Sequence, residues 1–121
     1  MKKPSENKSD ILNRLEILYL EVIPAIDNFP KDRKYTLGEK IDTTFLAVIS
    51  DFYSASYVKG NREAGLIQMR SHLHLLVFLL RASFRLKALS PALYEKFTQE
   101  LVEIGKITTS WIQKGRDAKA S

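Results

Sequence analysis

The sequence predicts an all-α fold, an antiparallel up-down four-helix bundle, and three observations predict it. Apolar residues recur at three-to-four spacing through four long segments. Glycine and proline punctuate the chain at only three places, Asn28 to Tyr35, Gly60-Asn61 and Lys87 to Pro91. No stretch carries the period-two alternation of a strand. The breaks leave four segments of roughly 17 to 25 residues, each ~25 to 38 Å long as a helix, joined by turns short enough to make neighbours antiparallel.

In the first segment Ser9 or Asp10 is placed to cap a helix on which Ile11, Leu15, Leu18, Val22, Ile26 and Phe29 share one face. Pro24 removes an N–H and crowds the preceding turn, which predicts a kink, and Phe29-Pro30 ends the segment. The second opens at Thr36-Leu37-Gly38-Glu39, which reads as a capping box, the threonine hydroxyl accepting from the amide three residues on while the glutamate returns to the cap N–H. Its stripe of Leu37, Ile41, Phe45, Val48, Phe52 and Ala55 runs to a stop at Gly60. The third carries Leu66, Met69, Leu73, Leu76, Leu80 and Phe84. The fourth starts at Ser90-Pro91, a cap residue before a proline whose missing N–H costs nothing at the first helical position. Tyr94, Phe97, Leu101, Ile104, Thr108 and Trp111 follow, with Gly115 the expected terminator. The bundle is thus expected over residues 10–114, between a flexible basic N-terminal tail, 1–9, and a flexible C-terminal tail, 115–121.

A chain of 121 residues accommodates one core and no separate catalytic module. With no cysteine, disulfides, thiolate zinc sites and cysteine nucleophiles are excluded, and a reducing, cytoplasmic setting is expected. The longest run free of charged residues, Ser71 to Leu80, is far below the ~20 residues of a membrane span, so no membrane partner is expected. The charged start has no apolar block of a secretory signal. Nineteen Lys and Arg against fourteen Asp and Glu leave a net charge of +5, which favours polyanions as partners.

The third segment differs from the others. Met69, Leu73, Leu76 and Leu80 define one side, and Leu75, Leu79, Ala82 and Leu86 lie roughly opposite. One bundle covers one side. The second predicts a homo-oligomer whose interface is Leu75, Leu79 and Leu86 with Leu46, Tyr53 and Tyr57 of the second segment, each buried leucine contributing roughly 1.5 to 3 kcal/mol. A helix sandwiched more deeply in its own bundle would give the same pattern. Between the two sides, Arg70, His74, Arg81 and Arg85 fall within about 60° around the axis, a basic ridge. Residues 61–89 hold Arg62, Arg70, Arg81, Arg85 and Lys87 against Glu63 alone, a net +4. Lys31, Arg33 and Lys34 against Asp32 add +2, whereas Asp10 to Phe29, with Arg14 against Asp10, Glu16, Glu21 and Asp27, carries −3. Guanidinium forks pair bidentately with phosphate oxygens, so the ridge points to nucleic acid; a plain solvated helix face is the bland alternative.

Catalytic patterns are missing. His72 and His74 are two apart on a helix and face different sides, which is wrong for chelating one metal. Gly38-Glu39-Lys40 lacks the glycine-rich cradle of a phosphate loop, Glu100 and Glu103 read as solubility on an exposed face, and no motif frames a serine nucleophile. Neither an enzyme, a metal nor a cofactor is expected.

Pro24-x-x-x-x-Phe29-Pro30-Lys31 and Tyr35-Thr36-Leu37-Gly38-Glu39-Lys40-Ile41 resemble the accessory variability determinant (Avd) family of diversity-generating retroelements. Leu79-Leu80-Arg81, Leu86-Lys87, Leu89-Ser90, Tyr94, Glu103-Ile104-Gly105-Lys106 and Trp111-Ile112 continue the likeness, in order and spacing, across residues 11–114. The resemblance implies a four-helix protomer assembled into a pentameric, positively charged ring or barrel. It further implies a non-catalytic subunit that binds the retroelement reverse transcriptase, RNA and also DNA, and supports mutagenic cDNA synthesis. Arg81 and Lys87 match basic positions of the family pattern, and Lys106 stands where the family has Lys or Arg; Arg70, His74 and Arg85 come from the ridge alone, and Arg62 from the positive charge of residues 61–89. Thr108-Thr109-Ser110 departs from the small residues with glycine that often precede the tryptophan, which puts packing near Trp111 in question. The rRNA intervening-sequence proteins are more distant four-helix relatives, whose serine-isoleucine-proline second helix this chain lacks. Two other classes compete: a structural protein–protein adaptor of that type, its ridge against an acidic partner, and a small-ligand bundle needing a polar pocket among Tyr19, Tyr94 and Trp111.

Overall fold

The computed structural model describes residues 8–120 of the chain; the expectations for residues 1–7 and 121, the outer parts of the two tails, lie outside the described residues. Helix α1 spans Lys8–Asp27, a short α2 spans Lys31–Arg33, and a π-helical turn over Lys34–Gly38 leads directly into α3, Glu39–Tyr57. Helices α4, Arg62–Arg85, and α5, Pro91–Ala120, complete the chain. The four long helices pack antiparallel, α4 most extensively against α3 and α5, with α1 resting on α3 and α5.

The apolar stripes form the core. Ile11, Leu15, Phe45, Phe52, Met69, Leu73, Leu76, Phe97, Leu101 and Ile104 are fully buried, and Leu18, Val22, Ile41, Val48, Leu80 and Trp111 extend the same cluster. Burial follows the three-to-four spacing because only that period keeps side chains on one side of a 3.6-residue helix. Thr108, the residue of the departing tripeptide that faces the core, is buried and donates its hydroxyl to the Ile104 carbonyl at 2.8 Å, so the polar atom is satisfied beside Trp111.

Turns follow local chemistry. The Leu93 N–H donates to Ser90 Oγ at 3.2 Å, with Pro91 at the first position of α5. Lys87 ends α4 in the left-handed region at φ 65°, its N–H bonded to the Phe84 carbonyl at 3.0 Å and the Ala88 N–H to that of Ser83 at 2.8 Å. Gly60, at φ 80°, turns the chain between α3 and α4. Gly65 then lets α4 meet α3 closely, for a β-carbon there would lie 2.8 Å from that of Ala55.

Five expectations are corrected. Helix α1 already includes Lys8, so residues 8–9 are helical, and Ser9 and Asp10 lie inside the helix instead of capping it. Thr36 is not a cap: the helix begins after Pro30, whose carbonyl accepts from Arg33 and Lys34 at 2.9 and 2.8 Å, and the Thr36 hydroxyl donates backward to the Asp32 carbonyl at 3.0 Å. A proline with φ fixed near −54° starts the helix earlier, and the widened turn ends at Gly38, which packs beneath Ile26 and Phe29 with no room for a side chain. Gly115 does not terminate α5, which continues to Ala120 with Arg116 and Lys119 reaching Glu63 of α4 at 3.5 and 3.9 Å. That extension also replaces the expected C-terminal tail over residues 115–120. Leu79, expected on an outer face, is only 6% exposed and belongs to the chain's own core, on the same flank of α4 as His72, which meets Asp51 of α3. Pro24, for its part, sits on the exposed side of α1, which runs on to Asp27.

Polar ties bridge the helices. Arg14 of α1 donates twice to Glu100 of α5, Nε to Oε2 and an Nη to Oε1, both at 2.8 Å. The hydrogen bond from Arg14 holds the Glu100 carboxyl below its usual range against the opposing effect of burial, and raises Arg14 in turn. Tyr19 donates to Asp42 at 2.7 Å, which, helped by burial, pushes the phenol up to about 12. His72 Nδ1 meets Asp51 Oδ2 at 2.5 Å across the α3–α4 seam, and Lys96 pairs with Glu21 across α1 and α5. No described helix is long and apolar enough to cross a membrane.

Candidate functional site

The outward side of α4 divides along its length. At 100° per residue, Arg70, His74 and Arg81 lean toward α5, while Leu75, Ala82 and Leu86 lean toward α3. The seam contacts agree, with Arg70 donating to Thr109 Oγ1 of α5 at 3.4 Å and His72 on the other flank held by Asp51 of α3.

Between α4 and α5 lies a groove of about 500 Å³. Leu73, Val77, Leu101, Val102 and Gly105 supply its apolar lining, and His74, Arg81, Lys106 and Thr109 supply its polar groups, with no carboxylate among them. Past the Arg81 end, a second cavity of about 570 Å³ at the α4–α5 turn is lined by Phe84, Arg85, Lys87, Leu89, Ser90 and Pro91, again without a carboxylate. Among the described residues, His74, Arg81, Arg85, Lys87 and Lys106 have no ion-pair partner. On the far side of α5 the charges balance, for the cavity shared with α1 is lined by Glu21, Glu100 and Glu103 against Arg14, Lys96 and Lys106. The α4–α5 seam thus carries a cluster of cations with no carboxylate among its lining residues, where low-dielectric walls strengthen their pull on an anion.

The structure therefore gathers His74, Arg81 and Lys106 around one groove, with Arg70 at its margin and Arg85 and Lys87 in the adjoining cavity. It does not bring in Arg62, which lies about 28 Å along α4 from Arg81, beside Glu63, Trp111 and Lys119. A ridge on one helix does not reveal Val77, Gly105 and Thr109 as groove residues, because the groove is shared between α4 and α5. The signal was the face of α5 carrying Val102, Gly105 and Thr109, spaced three and four.

Exposed apolar side chains stand elsewhere on α3 and α4. Leu46, Tyr53 and Tyr57 on α3 and Leu75 and Leu86 at α4 are all solvent-exposed, with Tyr53 and Tyr57 stacked at 6.0 Å and Lys8 over the Tyr57 ring at 5.3 Å. Phe78, 57% exposed, lies one turn beyond Leu75 and between the two flanks of α4. The three aromatics considered for a ligand pocket are separately engaged: Tyr19 with Asp42, Tyr94 stacked on Phe84 at 4.7 Å, and Trp111 in the core. Among the described residues, no cluster of His, Asp and Glu is arranged to hold a metal.

Fold and surface together define a small all-α four-helix protein with one cation-lined seam. A family model described as bAvd-like matches residues 10–115, nearly the whole described chain, and this protein belongs to that family, the bacterial Avd family of diversity-generating retroelements. Its members are accessory proteins, generally non-catalytic. No curated protein and no solved structure matches the chain.

Proposed function

We propose that this chain is a non-catalytic accessory subunit of a diversity-generating retroelement that acts in the cytoplasm. It self-associates, into a pentamer by family analogy, holds RNA and also DNA on its cationic seam, and docks the reverse transcriptase to support mutagenic cDNA synthesis. The observation that carries this reading is the carboxylate-free clustering of His74, Arg81 and Lys106 on the α4–α5 groove, continued by Arg85 and Lys87. Unpaired guanidinium and ammonium groups release counterions from phosphates they contact, which makes binding steeply salt-dependent. Self-association rests on Leu46, Tyr53, Tyr57, Leu75 and Leu86, apolar groups that a lone protomer leaves in water.

The test is the double variant Arg81→Glu with Arg85→Glu, assayed for RNA retention across a salt series and for co-purification with a neighbouring reverse transcriptase and its template RNA. Retention should fall, and the logarithmic salt slope on a single strand should become shallower by about 1.4 for two lost phosphate contacts. Unchanged retention together with unchanged polymerase capture would remove the seam assignment. The exposed apolar face supports a second reading, a structural protein–protein adaptor of the rRNA intervening-sequence type, which predicts no polynucleotide retention even at low salt.

A further inference from the structure

The α4–α5 groove has one property that phosphate binding alone does not require. Gly105 lies in it, in the middle of the 30-residue α5, where glycine is the poorest helix former after proline. At other helical glycines packing demands the missing side chain: a β-carbon at Gly65 would lie 2.8 Å from that of Ala55, and one at Gly38 would lie 2.7 Å from Ile26. At Gly105 it would meet nothing within 4 Å, and the backbone there is not in the left-handed region. Gly115 is equally open, but the cavity beside it holds only about 40 Å³ and includes Glu63. Nothing within the chain therefore explains Gly105, whereas an occupant of the groove would. Its absent side chain leaves an open slot in the groove, whose lining also includes Leu73, Val77, Leu101 and Val102 and the cations His74, Arg81 and Lys106.

We infer that this groove receives an unpaired base of a single-stranded RNA, with His74, Arg81 and Lys106 on the flanking phosphates and Gly105 leaving the space the base fills. The inference rests on the nucleic-acid reading above and adds the form of the ligand. About 500 Å³ is within the range of sites that enclose a small molecule, whereas an amphipathic helix about 10 Å across would lie over such a groove instead of in it. The aliphatic walls offer desolvation and dispersion to a flat ring, and the polar groups are arginine, lysine, histidine and threonine, all able to donate to phosphate oxygens or base carbonyls. A duplex keeps its bases stacked and paired and presents phosphates, 2′-hydroxyls and base edges but no free base ring, so it cannot fill the slot. The cations also run on from Arg70 to Arg85, about 22 Å along α4 and longer than one nucleotide, which favours a strand over a free mononucleotide.

The experiment compares the full chain with Gly105→Leu, which fills the slot and keeps every cation, and Gly105→Gln, a polar filler that serves if the leucine variant misfolds. Circular dichroism confirms folding, and binding is read with a labelled single-stranded RNA and with the same strand annealed to its complement. Wild type should prefer the single strand. Filling the slot should weaken single-strand binding about tenfold, with duplex affinity and salt slope unchanged, and excess adenosine monophosphate should not compete. Equal affinity of wild type for both forms, equal losses on both, no loss on the single strand, or effective competition by the mononucleotide would each overturn the inference while leaving the phosphate seam in place. Loss of polymerase capture with RNA binding intact would assign the groove to a protein segment and overturn it as well. Wild type that held no RNA in any form would instead bring down the nucleic-acid reading together with this one.

Discussion

Lys87 shows how a single residue can stand at odds with its own backbone. Its φ of 65° is where glycine ordinarily closes a helix, and an L side chain there costs roughly 1 kcal/mol. Lys87→Gly should therefore raise stability by about 1 kcal/mol in denaturant unfolding while lowering RNA affinity, and a variant that gained stability without losing affinity would free this lysine from any binding role. Glu100 makes the opposite case. Its carboxyl is held below its ordinary value of 4.5 by the hydrogen bonds from Arg14, so the stability it contributes is full above about pH 4.5 and is lost as pH falls through the lower folded value. Glu100→Gln should cost about 1 kcal/mol at neutral pH, discounted for partial exposure, and should flatten the acid limb of the stability curve. Sequence reading assigned Glu100 to solubility because its partner lies 86 residues away, a pairing no local pattern encodes.

Among the elements, the pair α3 and α4 depends on a missing methyl group. A β-carbon on Gly65 would lie 2.8 Å from the Ala55 Cβ and 2.9 Å from its backbone nitrogen and Cα, so the helices must separate to accommodate it. Gly65→Ala should destabilise by about 1 to 3 kcal/mol despite alanine's better helix propensity, measured by thermal or denaturant melting. A neutral result would show that the seam yields easily. The helices themselves were legible because their stripes keep a 3.6-residue period, and the turns at Gly60 and Ser90-Pro91 were legible because their chemistry is local. The start of the second segment was not, since Thr36 and Glu39 match a capping pattern whose geometry the π turn replaces with backward bonds to Asp32 and Lys34. Leu79 was misplaced for a related reason. A helical wheel gives its angle on α4 but not how far the neighbouring helices wrap around it, and Leu79 is buried.

For the whole molecule, the two exposed surfaces of α4 imply linked behaviour. The cations face the α5 side and Leu75 and Leu86 face the α3 side, with Phe78 between the two, so copies joined through Leu75 and Leu86 would keep their seams open. Five copies of 13.9 kDa would scatter light as about 70 kDa, a number that comes from the family resemblance, since an exposed apolar face predicts association without counting partners. Leu75→Glu combined with Phe78→Glu should reduce the mass to 13.9 kDa with helix content preserved, because both side chains point into water in the protomer. A joined set of seams also binds a long strand at several points, each after the first at high effective concentration. The same variant should lose about a hundredfold or more of its apparent affinity for long RNA, while a short RNA that one seam can hold should lose only the small attraction removed by two added negative charges. Equal losses on both lengths would mean that Leu75 and Phe78 lie on the RNA path itself, and an unchanged mass would mean that this face is not where the copies meet.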